Sequence, residues 1–435
     1  MTTAEAGRQP RGAFAALSSR SYRIYLGGQS LANTGTWMQS IAQDWLVFDL
    51  THSSTSVGVT MALQFLPILV LGLHTGGLAD RLPKRRILLT TQTLNAAATT
   101  ALAVITITGA IHATDVYAFA LLSGLIFAFD APARQAFVAE VVPPAQLRAA
   151  IALNGAVFQA TRLIGPAIAA LLIASVGTGW VFAVNAACYA GPVIGLLRLR
   201  PSDLRPAPAA RREPGALRTT ARYLARRPDV LWTIFLVGMF GTFGLNFPIV
   251  LTAMAKSTFG GNASMYGLFN IALAIGSAAG ALFAGAAARP RARTIVLSAA
   301  AFGLLQTAAA FAPDLAVFLV LLGAMGLVNL VFQSMANASV QLAVDPELRG
   351  RVMGLYMLAF IGGTPIGAPL IGALTSHFGA RAGMTVCGVV PVLAAVVVAA
   401  ARTRQRAAGA DASPWAAGVL LRGHAGGPVR SKKSF

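Results

Sequence analysis

The sequence predicts an all-α integral membrane protein: twelve transmembrane helices in two pseudo-symmetric six-helix bundles. Three observations carry this. Apolar residues make up 56% of the 435 and charged residues 11%, against roughly 25% charged in ordinary globular proteins. Runs of about 20 apolar residues, long enough to cross a hydrocarbon layer of about 30 Å, recur along the whole chain. Finally, lysine and arginine gather in every second connection between those runs.

The runs lack the alternation of a membrane barrel, so each backbone must satisfy itself as a helix. Residues 1–23 carry basic residues but no apolar stretch ending in a cleavage site. They read as a cytoplasmic arm. Spans are expected near 24–48, 56–79, 87–109, 116–137, 149–174 and 180–197, then near 229–254, 264–287, 294–311, 315–338, 352–375 and 382–401. With the N-terminus inside, the inner segments hold 4, 4, 2, 9, 3, 2 and 7 Lys/Arg in order. The outer loops hold only Lys256 and Arg381, and Arg162 alone falls mid-span, with Arg134 counted on the inner rim. Cations keep loops cytoplasmic, so both termini are expected inside.

Residues 198–228 divide the chain into bundles at 24–197 and 229–401. This segment is rich in Pro, Ala and Arg and reads as a cytoplasmic linker, with a surface helix at its end. The tail, 402–435, is Ala/Gly-rich and expected to be disordered. At an offset of 202, Pro144, Ile164, Gly165 and Gly177 match Pro346, Ile366, Gly367 and Gly379, which suggests a duplicated unit. Duplicated halves with a site between them are a transporter architecture.

Composition also excludes classes. The net charge of +20 sits on alternate loops, so its partners are membrane lipids and not nucleic acid. No G-x-x-x-x-G-K-[ST] loop or G-x-S-x-G elbow appears, and the five histidines form no ligand pattern. No enzyme activity, cofactor or metal is expected. Cys188 and Cys387 fall within spans and suit buried fillers.

The most specific stretch is GGLADRLPKRRIL, from Gly76 to Leu88. It resembles the signature G-x-L-A-D-R-x-G-R-K-x-x-L of the major facilitator superfamily, between the second and third helices. Gly76, Leu78, Ala79, Asp80, Arg81, Lys84, Arg85 and Leu88 fall in place, and Pro83 replaces the second glycine. The second half keeps Gly285, Arg289 and Arg293, with Ala288 in place of the acid. By charge alone, Arg81, Lys84, Arg85 and Arg86 anchor a tight loop at the lipid heads. Asp80 opposes the dipole of its own helix and needs an outside partner. The resemblance implies a latch, with Asp80 docking on the eleventh helix, near Arg351, in one conformation. SYRIYLGGQSLANTGTWMQSIAQDWLVFDLT, APARQAFVAEVVP, ATRLIGPAIAALL and LRGRVMGLY resemble the siderophore- and macrolide-exporter branch, a drug:proton antiporter type. Gly165-Pro166 resembles the antiporter motif of the fifth helix, with Ala169 and Ala170 replacing its last glycines; the alternative is helix packing alone.

On the first helix Gln29, Asn33, Trp37, Ser40 and Asp44 fall within an arc of about 80° at about 100° per residue. Asn329, Gln333 and Asn337 form a similar stripe on the tenth. Such stripes face a cavity or another helix; the resemblance places both on the central cavity. Arg162 sits near mid-membrane and needs a partner or a wet cavity. It either pairs with Asp130, the nearest acid in depth, or serves substrate or protons; Asp130 can instead pair with Arg134. Asp44 and Asp130 are the candidates for proton coupling.

The expected protein is a secondary transporter driven by protons or another ion. It works as a monomer by alternating access in a bacterial cytoplasmic membrane, a location that 30 arginines against 4 lysines also suggest. The resemblance implies export of an amphipathic small molecule, a drug-like compound or siderophore. Import of a nutrient, lipid movement, a membrane sensor and a membrane-embedded enzyme are the alternatives.

Overall fold

The structure is a computed structural model. It describes residues 15–200, 202, 204, 216–286, 291–345 and 348–407, but not the side chains of 73, 74, 76–81, 216–219, 221, 285, 286, 406 and 407. The first 14 residues, the middle of the linker and the tail after 407 therefore lie outside the described residues.

Every regular element among the described residues is helical. The first half holds α1 (Arg20–Thr51), α2 (Ser54–Arg81), α3 (Lys84–Ile107), α4 (Ala113–Val141), α5 (Leu147–Val176), α6 (Thr178–Cys188) and α7 (Ala190–Arg198). The linker supplies α8 (Ala216–Ala225). The second half holds α9 (Pro228–Met239), α10 (Phe247–Ala253), α11 (Ala263–Ala286), α12 (Ala292–Ala310), α13 (Leu315–Ala343), α14 (Arg349–Gly362), α15 (Thr364–Phe378) and α16 (Ala380–Ala407).

Among the described residues, eleven stretches are long and apolar enough to cross a membrane, where the sequence suggests twelve. The remaining long helix is α1, 32 residues in length. Its polar stripe, joined by Gln39 and Gln43, is what lowers its apolarity.

Local chemistry sets the boundaries. The Ser19 side chain caps α1 by accepting from the Tyr22 N–H, and Asp314 caps α13 through Val317; such caps satisfy orphan donors at helix starts. Gly177 and Gly379 close α5 and α15 with φ of 88° and 89°, a conformation that favours glycine. These two glycines are 202 apart, so the repeat seen in sequence returns as the same backbone turn. Between α9 and α10 the helix widens to a π-turn at Phe240–Gly244, and another follows α10 at Met254–Thr258. Pro248, at the start of α10, has no N–H to continue the ladder.

Packing relies on close backbone approach, as expected for helices in lipid. Gly276 and Gly280 face the carbonyls of Gly323 and Leu327, setting α11 against α13. Gly165 rests on Trp37 and Thr34 of α1, while Gly367, its repeat partner, rests on Thr242 before α10. Extensive contacts join α1 to α5, α2 to α4, α3 to α6, α11 to α13 and α12 to α16. Between the halves, α2 lies along α15 and α5 along α11. Cys188 and Cys387 are both free and buried.

The linker helix α8 docks on the second half, contacting α9 and α14. Tyr223 Oη accepts from Arg227 Nη1 at 3.2 Å and from the Asp345 N–H at 3.4 Å. Arg227 also donates to the Ala343 carbonyl at 2.8 Å and pairs with Asp229 at 3.1 Å. Hydrogen bonding to Asp229 raises the Arg227 pKa.

Candidate functional site

A buried polar network occupies the first half. Asp130, on α4, is 1% exposed, and both its oxygens are occupied. Thr91 Oγ1 and Gln92 Nε2 of α3 donate to Oδ1 at 2.7 and 2.8 Å. Arg134, one turn along α4, donates to Oδ2 through Nε at 2.8 Å and through Nη2. Its Nη1 reaches Asn33 Oδ1 at 3.3 Å, and Gln29 Nε2 donates to the same oxygen at 2.9 Å. Thus Gln29, Asn33, Asp130 and Arg134 are brought together. Towards the opposite end of α1, Gln39 Oε1 accepts from Asn185 and, at 3.2 Å, from Thr99. A small crevice between α1, α3 and α7 opens beside the network, lined by Tyr25, Gln29, Gln92 and Pro192 among others.

Asp130 therefore takes Arg134 as its cation, and the pair with Arg162 does not form. Residues four apart on one helix meet without further arrangement, whereas similar depth on separate helices says nothing about angle. Arg162 instead lies over the Trp37 indole, 5.5 Å from the ring centroid. Trp37 meets Phe158 edge-on at 5.6 Å.

Asp44 is 5% exposed and bonds across the halves: Tyr266 Oη of α11 donates to its Oδ2 at 3.0 Å. Further contacts surround it at the same end of the molecule. Lys256 pairs with Asp49 at 3.5 Å and lies over the Trp45 ring at 5.5 Å. The Thr55 N–H and Oγ1 donate to Ser376 Oγ at 3.0 and 3.1 Å. Gly58 and Gly372 bring α2 and α15 together there, facing the Ala368 and Ser54 carbonyls. Gly267 of α11 sits against Ala170 and Pro166 of α5.

Along α5, Ala170 and Pro166 meet Gly267 of α11, while Arg162 and Phe158, nearer its N-terminal end, pack on Trp37 of α1. Ala170 and Pro166 are buried, Arg162 is half-buried and Phe158 is 45% exposed.

On α13, Asn329 is buried while Gln333 and Asn337 are half-buried. Gln333 Nε2 donates to Asn329 Oδ1 at 2.7 Å, so the stripe is bonded along its own helix. Ser40 is half-buried on α1. In the loop signature, Lys84 pairs with Glu140 of α4 at 3.3 Å and is 8% exposed. Arg85 Nε donates to the Leu196 carbonyl at 2.8 Å, at the end of α7. These two cations fasten α3 to its neighbours rather than anchoring to lipid, because an unpaired acid and helix-end carbonyls lie within reach. The side chains of Gly76, Asp80 and Arg81 lie outside the described residues.

Sequence reasoning missed Tyr266, the cross-half donor to Asp44. It also missed Thr91, Gln92 and Glu140. The last three were visible as polar residues flanking or interrupting apolar runs; Tyr266 carries no such mark.

Among the described residues, no group of three or more His, Cys, Asp or Glu is placed to hold a metal. The site offers hydrogen bonding, one intrahelical ion pair and an aromatic-backed cation.

The family described as transmembrane secretion effector matches residues 11–420. The chain is 30% identical over 366 residues to the multidrug efflux pump Tap of Mycolicibacterium fortuitum, covering 81% of this chain and 88% of that protein. It is 26% identical to the enterobactin exporter EntS of Salmonella choleraesuis, covering 78% and 82%. Among solved structures, a bacterial homologue of the iron transporter ferroportin in an inward-facing state aligns with a TM-score of 0.68 at 15% identity, covering 87% and 98%. The chain is a major facilitator superfamily transporter, not an enzyme, and belongs to the transmembrane secretion effector family.

Proposed function

We propose that this chain is a proton-coupled exporter of amphipathic small molecules, working as a monomer by alternating access. In this reading α1 is a twelfth span, which its length and its packing between α5, α6 and α7 support. Residues 24–197 and 229–401 form two six-helix bundles, joined by the cytoplasmic linker 198–228. The protein lies in the bacterial cytoplasmic membrane with both termini, 1–23 and 402–435, inside. The distribution of Lys and Arg supports that orientation, and drug and siderophore exporters among the relatives support the direction.

One observation carries the mechanism. Among the described residues, Tyr266 with Asp44, Lys256 with Asp49 and Thr55 with Ser376 join the halves at the Asp44 end. With the proposed orientation, this is a seam closed to the outside. Substrate enters between the halves, which then rock about the midplane. Asp44 lies on α1 at the closed seam, held by Tyr266 of the opposite half. Opening that seam breaks the cross-half bond and brings water to the carboxylate, which can then exchange a proton with the outside. Gln29, Asn33, Trp37, Ser40, Asn329, Gln333 and Asn337 line the path, and Asp80 acts as the latch at the inner end.

Inside-out vesicles with an imposed acid interior test this reading on a panel of drug-like compounds and siderophores. Uptake that an uncoupler abolishes is the expected result. Silence across the panel, or uptake indifferent to the gradient, contradicts it.

A further inference from the structure

Among the described residues, Arg162 is a mid-span cation with no acidic or hydrogen-bonding partner. At about 1.5 Å per residue it lies roughly 20 Å from either end of α5, too deep for a lipid headgroup to meet it. Among the described residues, no carboxylate and no hydrogen-bond acceptor takes up its donors. A charged side chain at that depth is costly unless it has a partner or a wet cavity.

Its surroundings favour a particular partner. The guanidinium lies over the Trp37 ring. A guanidinium on an aromatic surface still carries five N–H donors in its own plane, a fork matched to a carboxylate or phosphate. Beside it, Trp37 and Phe158 form an edge-to-face pair, and Phe158 is 45% exposed in mid-chain. Arg162 stands one turn from Pro166, which sits where α5 meets Gly267 of the other half. Arg162 thus lies one turn from the contact between the halves, with the aromatic pair beside it.

We propose that Arg162, Trp37 and Phe158 form a recognition site for an organic anion, the acidic group meeting the guanidinium and a planar ring meeting Phe158. This rests on the transporter reading and narrows its substrate class to amphipathic acids. Nothing covalent occurs; selectivity comes from charge-assisted hydrogen bonds in a partly dry cleft.

The test uses the full chain in nanodiscs of zwitterionic lipid, with empty nanodiscs subtracted. Three probes share one ring system: pyrenebutyrate, the neutral pyrenebutyramide and the cationic pyrenylbutylamine. Wild type is expected to bind the acid about tenfold tighter than the amide, the size of one charged hydrogen bond. In Arg162→Gln that preference disappears while amide binding stays within about twofold; Arg162→Lys keeps part of it. In Arg162→Glu the amine becomes the preferred probe. Equal affinity of wild type for acid and amide overturns the site, as does a parallel loss of all three probes in a folded Arg162→Gln. Gradient-driven uptake of the same probes in inside-out vesicles separates the two readings. Acid-selective binding without uptake supports the site and contradicts export; uptake with no acid preference contradicts the site and leaves export standing.

Discussion

At the scale of single residues, two acids with similar burial have different surroundings. Asp130 is saturated by Thr91, Gln92 and Arg134 and belongs to one half. Removing one member of such a pair strands the other, typically at about 3–5 kcal/mol. Asp130→Ala is therefore expected to lower the melting temperature of the purified protein by several degrees. An unchanged melting curve would show that the network contributes nothing to folding. Asp44 holds one bond across the halves, and Tyr266 donates it. Asp44→Asn can still accept that bond but cannot titrate, so it should bind substrate and lose gradient-driven transport. Undiminished proton-driven flux in that variant removes Asp44 from coupling. The sequence showed that Asp130, Arg134 and Arg162 needed partners, but not which ones. Only the helix rotation decides that Arg162 faces Trp37, and rotation is not written in depth.

At the scale of elements, glycine sets how closely the halves approach. A side chain on Gly267 would run into Ala170 of α5, and overpacking of this kind costs about 1–3 kcal/mol. Gly267→Val should push α11 from α5 and favour the state open at the Asp44 end. The readout is maleimide labelling of a cysteine placed at Ser53, in a background without Cys188 and Cys387. Faster labelling than in the parent is expected; an unchanged rate would mean that this contact does not hold the seam. Gly276 and Gly280, like Gly363 and Gly367, stand four apart in the sequence, and all four face neighbouring helices closely. The partners were not legible, because any helix fits a small residue. Nor were the π-turns around α10, which depend on how the widened backbone is held. On α1 the polar residues that build the network, Gln29 and Asn33, together with Asp44, lower its apolarity as a span.

At the scale of the whole molecule, the repeat was visible in sequence through isolated glycines and prolines. Gly177 and Gly379 turn the chain identically, and Gly165 and Gly367 each press on the helix that opens their own half. Family membership was legible for a different reason. The loop signature is set by residue type at fixed spacing and does not depend on rotation. The proposed topology can be checked by fusing reporters after residue 213 and at the C-terminus. Both should be active in the cytoplasm, and one active outside would reverse the account of orientation.

Under the proposed cycle, the seam around Asp44 must open and close at every turn. Thr55 and Ser376 meet across that seam through direct hydrogen bonds. The decisive measurement is gradient-driven uptake by the double variant Thr55→Cys/Ser376→Cys, without the native cysteines, before and after oxidation. Oxidation should abolish uptake and a reductant should restore it. Full uptake with the pair completely cross-linked would show that transport does not pass through an opening there.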